Sequence, residues 1–195
     1  MQGSDNHWSK KIGSMEHYDK ISKSYDEQYG EEQEEKIRTA TKMVGKLRSG
    51  VVLDLGSGTG LLIPHLPDVD FLVEVDISLG MLGRGKEKAL ERMDVDFVQA
   101  DADYTPFRPR SFNAVLAITL LQNMPQPEKT VKEAIRITKK GGKIVITALK
   151  KKFNLYKFLK ILLKAGVRVV RIEVDGKLKD YVAIFRQENR QNNCS

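Results

Sequence analysis

The 195-residue chain has one cysteine, one tryptophan, six prolines and no long apolar run. The cysteine, Cys194, lies one residue from the end. A single thiol excludes an internal disulfide and a cysteine-based zinc cluster, and a chain end does not hold a nucleophile in attack geometry. A reducing, cytoplasmic setting is the expectation. The three histidines, His7, His17 and His65, have no metal-site spacing, so no metal is expected. No stretch approaches the roughly 20 apolar residues that cross a bilayer, so no membrane span is expected. The polar first fourteen residues lack the apolar core of a secretion signal. Acidic charge is scarce toward the C-terminus. Residues 139–190 carry fifteen Lys and Arg against four Asp and Glu, within a chain of net charge +7. Such a basic third suits a polyanion such as RNA, or else a solvated lysine-rich face.

The length fits one domain with short appendages, large enough to bury on the order of 70% of its unfolded surface. Residues 1–14 have no periodicity and read as a disordered leader or an appended segment. Organised sequence begins near Met15. Residues 15–48 are helical in pattern, with Ile21, Tyr25 and Tyr29 recurring every fourth position and Gly30 dividing two helices. The span 49–190 then alternates strands and helices, and 191–195 form a tail. Strand-like runs fall at 51–55, 71–77, 95–100, 112–119 and 143–149. Helical runs fall at 60–66, 78–93 with Ser78 as cap, 128–139 stopped by Gly141 and Gly142, and 154–165. Two further runs, 167–174 and 180–186, flank Asp175-Gly176 and read as a hairpin. This is an α/β pattern. It predicts a Rossmann-like, doubly wound sheet, mostly parallel with one antiparallel strand and helices on both faces.

The chemistry concentrates at strand ends. An apolar run ends in Asp54, and Gly56-Ser57-Gly58-Thr59-Gly60 follows. In an open parallel sheet ligands bind at the carboxyl ends of the strands, and glycines there permit tight turns and contact with bare backbone. The spacing is Gly-x-Gly-x-Gly rather than the Gly-x-Gly-x-x-Gly of nicotinamide sites. An acid two residues before the turn suits an ammonium group better than a pyrophosphate. Asp76, at the next strand end, is placed to accept ribose hydroxyls, with Ile77 and Met81 available to cover an adenine face. Asp101, preferred to Asp103, ends the third strand and is suited to an adenine amino group, beside Ala102.

Together these residues resemble the class I S-adenosylmethionine-dependent methyltransferases, and within them the UbiE-like, type 11 group. The matching motifs are Asp54 through Gly60, Val75-Asp76-Ile77-Ser78 with Met81-Leu82, and Asp101-Ala102. Ser111 through Val115, Lys140 through Lys143, and the pairs Tyr18-Asp19 and Tyr25-Asp26 also match. The resemblance implies a seven-stranded sheet and the cofactor S-adenosyl-L-methionine. Its methionine part would lie on Gly56, Ser57, Gly58 and Gly60, its ribose on Asp76 and its adenine at Asp101 and Ala102. Backbone from Ala117 to residue 119 would complete the pocket, and N-terminal helices would cap it. Tyr25 is placed either to contact the carboxylate end or to serve as a helix-packing aromatic. The chain departs from the pattern at Asn113, where the group has Asp, at Leu79-Gly80, and in the lack of a histidine in 120–124.

The expected activity is methyl transfer to an O or N acceptor, either a small molecule or RNA. A non-catalytic S-adenosylmethionine-binding module, or a subunit needing a partner, is the expectation from another class. With no placed cysteine, carbon-5 methylation of pyrimidines is disfavoured, and the Asn/Asp-Pro-Pro-aromatic signature of amino-group methylation is absent. His17 is the general-base candidate by position.

Overall fold

In the computed structural model, residues 2–188 are described except 46, 48, 67, 91, 93 and 169, with side chains from Asn6 onward. Cys194 and the rest of the tail lie outside the described residues. Two helices come first, α1 (Gln2–Ile21) and α2 (Tyr25–Val44). The strands are β1 (Val51–Leu55), β2 (Phe71–Asp76), β3 (Val95–Gln99), β4 (Phe112–Ala117), β5 (Thr138–Leu149), β6 (Arg171–Glu173) and β7 (Asp180–Arg186). Between them lie α3 (Leu79–Lys88), α4 (Pro127–Ile137) and α5 (Leu155–Lys164). The seven strands form one sheet in the order β3-β2-β1-β4-β5-β7-β6. Only β7 runs against the others, pairing antiparallel with both β5 and β6.

The sheet separates two apolar layers. Leu53 and Leu55 of β1 face one layer with Val131, Ala134 and Ile137 of α4 and Phe158 of α5. Val52 faces the other, with Ile37, Ala40 and Val44 of α2 and Leu62 and Ile63 of the turn after β1. Strands covered on both faces read as continuous apolar runs, and β1 and β2 do so apart from three acids, Asp54, Glu74 and Asp76. Strand order reverses between β1 and β4, so the crevice of a doubly wound sheet opens at the carboxyl ends of those two strands.

Four local expectations are corrected. Helix α1 begins at Gln2, so residues 2–14 are helical; polar tertiary contacts described below hold a segment whose own periodicity is weak. The break between α1 and α2 falls at 22–24, where Ser22 and Ser24 donate back to carbonyls, and Gly30 lies inside α2. Residues 60–66 form turns and one short 3-10 stretch, Ile63–His65, because Gly60 is left-handed (φ 71°) and Pro64 lacks an amide donor. Gly141 and Gly142 sit within β5 at a register shift, where β4 pairs Phe112 with Thr138 and then Ala114 with Lys143. A side chain at Gly142 would press on the Thr138 methyl and the Asn113 carbonyl.

Candidate active site

The turn after β1 is built on β2. The Gly56 and Ser57 amides donate to the Val75 carbonyl at 2.7 and 2.9 Å. The Gly58 amide donates to Asp76 Oδ2 at 2.9 Å, and the Ser78 amide to Asp76 Oδ1 at the same distance. Asp76 thereby ties two turns together. The three glycines do different work. A Cβ at Gly58 would meet open space, so this glycine exposes bare backbone to the crevice. At Gly60 it would collide with the Ile63 side chain and press on Gly85 of α3, so Gly60 serves close packing beneath the turn and does not line the crevice.

The crevice, together with the open solvent at its mouth, spans about 950 Å³. Asp54, Gly56, Ser57, Gly58, Asp76 and Ile77 line it. Met81, Asp101, Ala102 and Tyr25 do so as well. Ala117 does not: it is fully buried as the last residue of β4, and the wall there is made by Ile118, Thr119 and Leu120. His17 is exposed on α1 with its ring edge against Tyr18, and it does not line the crevice. His65 is half-buried and pairs with Glu34 at 2.9 Å, and Asn113 accepts from the Val51 amide and from Lys139 Nζ, a structural role at the start of β1.

Asp54 is 4% exposed and has no hydrogen-bond partner among the described residues. Its register partner across β1 and β2 is Glu74, so the two carboxyl groups share one face of the sheet. Glu74 is wholly buried with both oxygens unpaired. Burial, followed by the nearby Asp76, pushes the Asp54 carboxyl up to about 8. Burial and then the charge of Asp54 push Glu74 well above its usual value. Burial also raises Asp76, against the backbone amides that hold its charge. The floor is thus an acidic, undersaturated site that favours a cation.

Sequence reasoning missed most of the roof. Lys11 of α1 reaches Asp101 at 2.7 Å and Asp103 at 2.5 Å, and Asp103 is further held by the Thr130 hydroxyl. Asp19 accepts from the Ser78 hydroxyl and the Gly80 amide, fastening α1 to the start of α3. The Tyr18 hydroxyl accepts from Asn123 in the loop after β4, so Asn123 is engaged in holding α1. Asp26 accepts from the Thr59 hydroxyl and pairs with Lys88. No local pattern announces Lys11; the Tyr18-Asp19 and Tyr25-Asp26 pairs are the sequence signals that point to this roof.

One wall carries a second polar network. Thr119 has left-handed backbone (φ 60°); its amide donates to the Thr147 hydroxyl and its own hydroxyl to Gln33. Lys36, fully buried on α2, pairs with Asp180 of β7 at 2.8 Å and with Glu32. Tyr18 and Tyr25 face the same space, and burial raises both phenols, so near neutrality they are hydrogen-bonding groups and not bases.

The residues present fit S-adenosylmethionine: an unpaired acid for an ammonium, bare backbone at Gly58, a fixed carboxylate at Asp76 and apolar cover from Ile77 and Met81. Comparison with known proteins agrees. Residues 53–146 match a family described as a methyltransferase domain, type 11. The demethylmenaquinone methyltransferase of Renibacterium salmoninarum is 39% identical over 110 residues, 56% of this chain and 45% of that protein. The phosphatidylethanolamine N-methyltransferase of Cereibacter sphaeroides is 36% identical over 126 residues, 63% of this chain and 61% of that one. The chain therefore spans about half the length of the curated relatives it matches. A crystal structure of a methyltransferase dependent on S-adenosylmethionine, from Thermotoga maritima, superposes with a TM-score of 0.71 at 18% identity, covering 89% of this chain and 99% of that one; at that identity the likeness concerns the fold.

Proposed function

We propose that the chain, whose residues 53–146 match a methyltransferase-domain family, transfers a methyl group from S-adenosylmethionine to a small acceptor held beneath α1 and α2. The observation that carries the reading is Asp54, an unpaired acid at the floor of a crevice beside bare glycine backbone. In this reading Asp54 takes the ammonium group and the turn at Gly56, Ser57 and Gly58 takes the rest of the amino-acid end. Asp76 takes the ribose hydroxyls, and Asp101 with Ala102 takes the adenine edge. Gly60 and Ala117 support from beneath.

When bound, the cofactor supplies a methyl group on a sulfonium, an electrophile that needs no further activation. The chain's own residues then orient two reactants and keep water out, which in well-positioned pairs is worth several kcal/mol. Among the described residues no histidine lines the crevice, and its two tyrosines stay protonated near neutrality. An acceptor that is already nucleophilic, or that ionises readily, suits such a site. The roof supports a small molecule over a polymer, because Tyr18, Asn123 and Lys11 close α1 across the strand ends. The apolar side of the crevice, Leu61, Ile118, Leu120 and Met124, supports an acceptor with an apolar part, in keeping with the quinone and phospholipid in the names of the two relatives. A cytoplasmic location suits the lone thiol, and among the described residues no helix is long and apolar enough to cross a membrane.

Calorimetry with S-adenosylmethionine and its demethylated product should show binding to both, and NADH should shift neither heat nor melting temperature. Failure of both S-adenosyl compounds to bind overturns the reading. Transfer of labelled methyl into a metabolite or lipid extract is the second expectation. Labelling of RNA alone would overturn the small-acceptor part, and binding without any labelling would favour the non-catalytic module.

A further inference from the structure

Residues 134–172 contain twelve Lys and Arg and not one Asp or Glu. At the centre of this stretch stands α5, whose N-cap Asn154 accepts from the Lys157 amide. Phe158, Ile161 and Leu162 are buried against the sheet and α4. The opposite side of the helix is not simply polar. Tyr156 is 73% exposed and Leu163 is 65% exposed. They lie seven residues apart, two helical turns, and so form one crest, with the half-buried Leu159 beside them. Lys157, Lys160 and Lys164 flank that crest and are exposed. Lys151 and Lys152, just before the helix, are exposed as well, and none of these five lysines has an ion-pair partner among the described residues.

A lysine-rich face kept only for solubility has no use for a tyrosine and a leucine at its summit. A nucleic acid would use the lysines and stack on the tyrosine, but Leu163 and Leu159 offer it nothing. An anionic lipid surface uses every part: phosphates attract the lysines, whose stems extend from an apolar crest that enters the headgroup layer, and a tyrosine is at home at that depth. We propose that α5, with Lys151 and Lys152 just before it, docks the protein on negatively charged membrane. The helix starts just beyond the carboxyl end of β5, the edge of the sheet on which the crevice opens, so docking brings that edge close to the lipid. The inference does not depend on which acceptor is methylated.

The test is flotation of the full chain with vesicles of phosphatidylcholine, with and without about one third phosphatidylglycerol. Wild type should float only with the anionic vesicles. The double variant Y156S/L163S, which leaves the charge unchanged, should lose about tenfold in vesicle affinity, because the crest's apolar burial is gone. K160E/K164E should lose at least about tenfold, at roughly 1 kcal/mol per cation near the surface. Both variants should bind S-adenosylhomocysteine as wild type does, which shows that they are folded. Absence of flotation, equal flotation with neutral vesicles, or anionic binding indifferent to Tyr156 and Leu163 would each overturn the proposal. Tight binding of a short single-stranded RNA without flotation would overturn it in favour of a nucleic-acid surface.

Discussion

Asp54 concentrates the energetics of the site in one residue. Its carboxyl, pushed up to about 8 by burial and by Asp76, holds a proton at neutrality, whereas a bound ammonium favours the charged form. Ligand affinity is therefore linked to proton release. Between pH 6 and 8, affinity for S-adenosylhomocysteine should climb by up to about tenfold per unit, then level off. Titration calorimetry in two buffers of different ionisation heat should register nearly one proton leaving per ligand. D54N should bind at least about tenfold more weakly, with no such slope. For the unliganded fold the sign is the reverse. The native form holds a proton that the unfolded chain releases near 4, so the stability that Asp54 confers in acid is lost as pH rises through about 8. D54N should accordingly unfold later than wild type at pH 9, as thermal melts would show. A ligand that binds without proton release would contradict this account.

At the scale of elements, α1 and α2 are tied to the fold by buried polar contacts, beside the apolar face that α2 lays on the sheet. Lys36 links α2 to β7 through Asp180, and burial outweighs Lys36 at that carboxyl, holding it above its usual value. K36M should cost about 3 kcal/mol in urea unfolding, because it leaves Asp180 buried and unpaired, and K36M/D180L should recover most of the loss. Helix α1 depends on Lys11 and Asp19. K11M should leave overall stability within about 1 kcal/mol, yet speed amide hydrogen exchange in α1 and raise the cofactor dissociation rate about tenfold. These dependencies explain what could be read beforehand. The ends of β1 and β2 were legible because buried parallel strands are apolar throughout, so Asp54 and Asp76 stand out against Val52, Leu53, Val73 and Val75. The hairpin of β6 and β7 was legible from Asp175-Gly176. Helix α1 before residue 15 was not, because what holds it is 90 residues away in sequence at Asp101. Nor was the position of His17 outside the crevice, since its exposure depends on which way α1 turns. Gly60 and Ala117 were assigned to the ligand by motif, whereas one packs on α3 and the other is core.

At the scale of the whole molecule, a single sheet carries two surfaces of opposite demand. The floor of the crevice presents Asp54 and Asp76 with Glu74 buried beside them, while α5 and the loop before it expose lysines. The two sit at one end of the strands because β1, β2, β4 and β5 are parallel, so their carboxyl ends and the connections that follow emerge together.

With fifteen of its Lys and Arg against four Asp and Glu in residues 139–190, the particle carries its surplus positive charge unevenly. Facing a negatively charged sheet of lipid, it would be turned before it touched, so ionic strength would govern how often it lands, while the leucine and tyrosine at the summit would govern how long it stays.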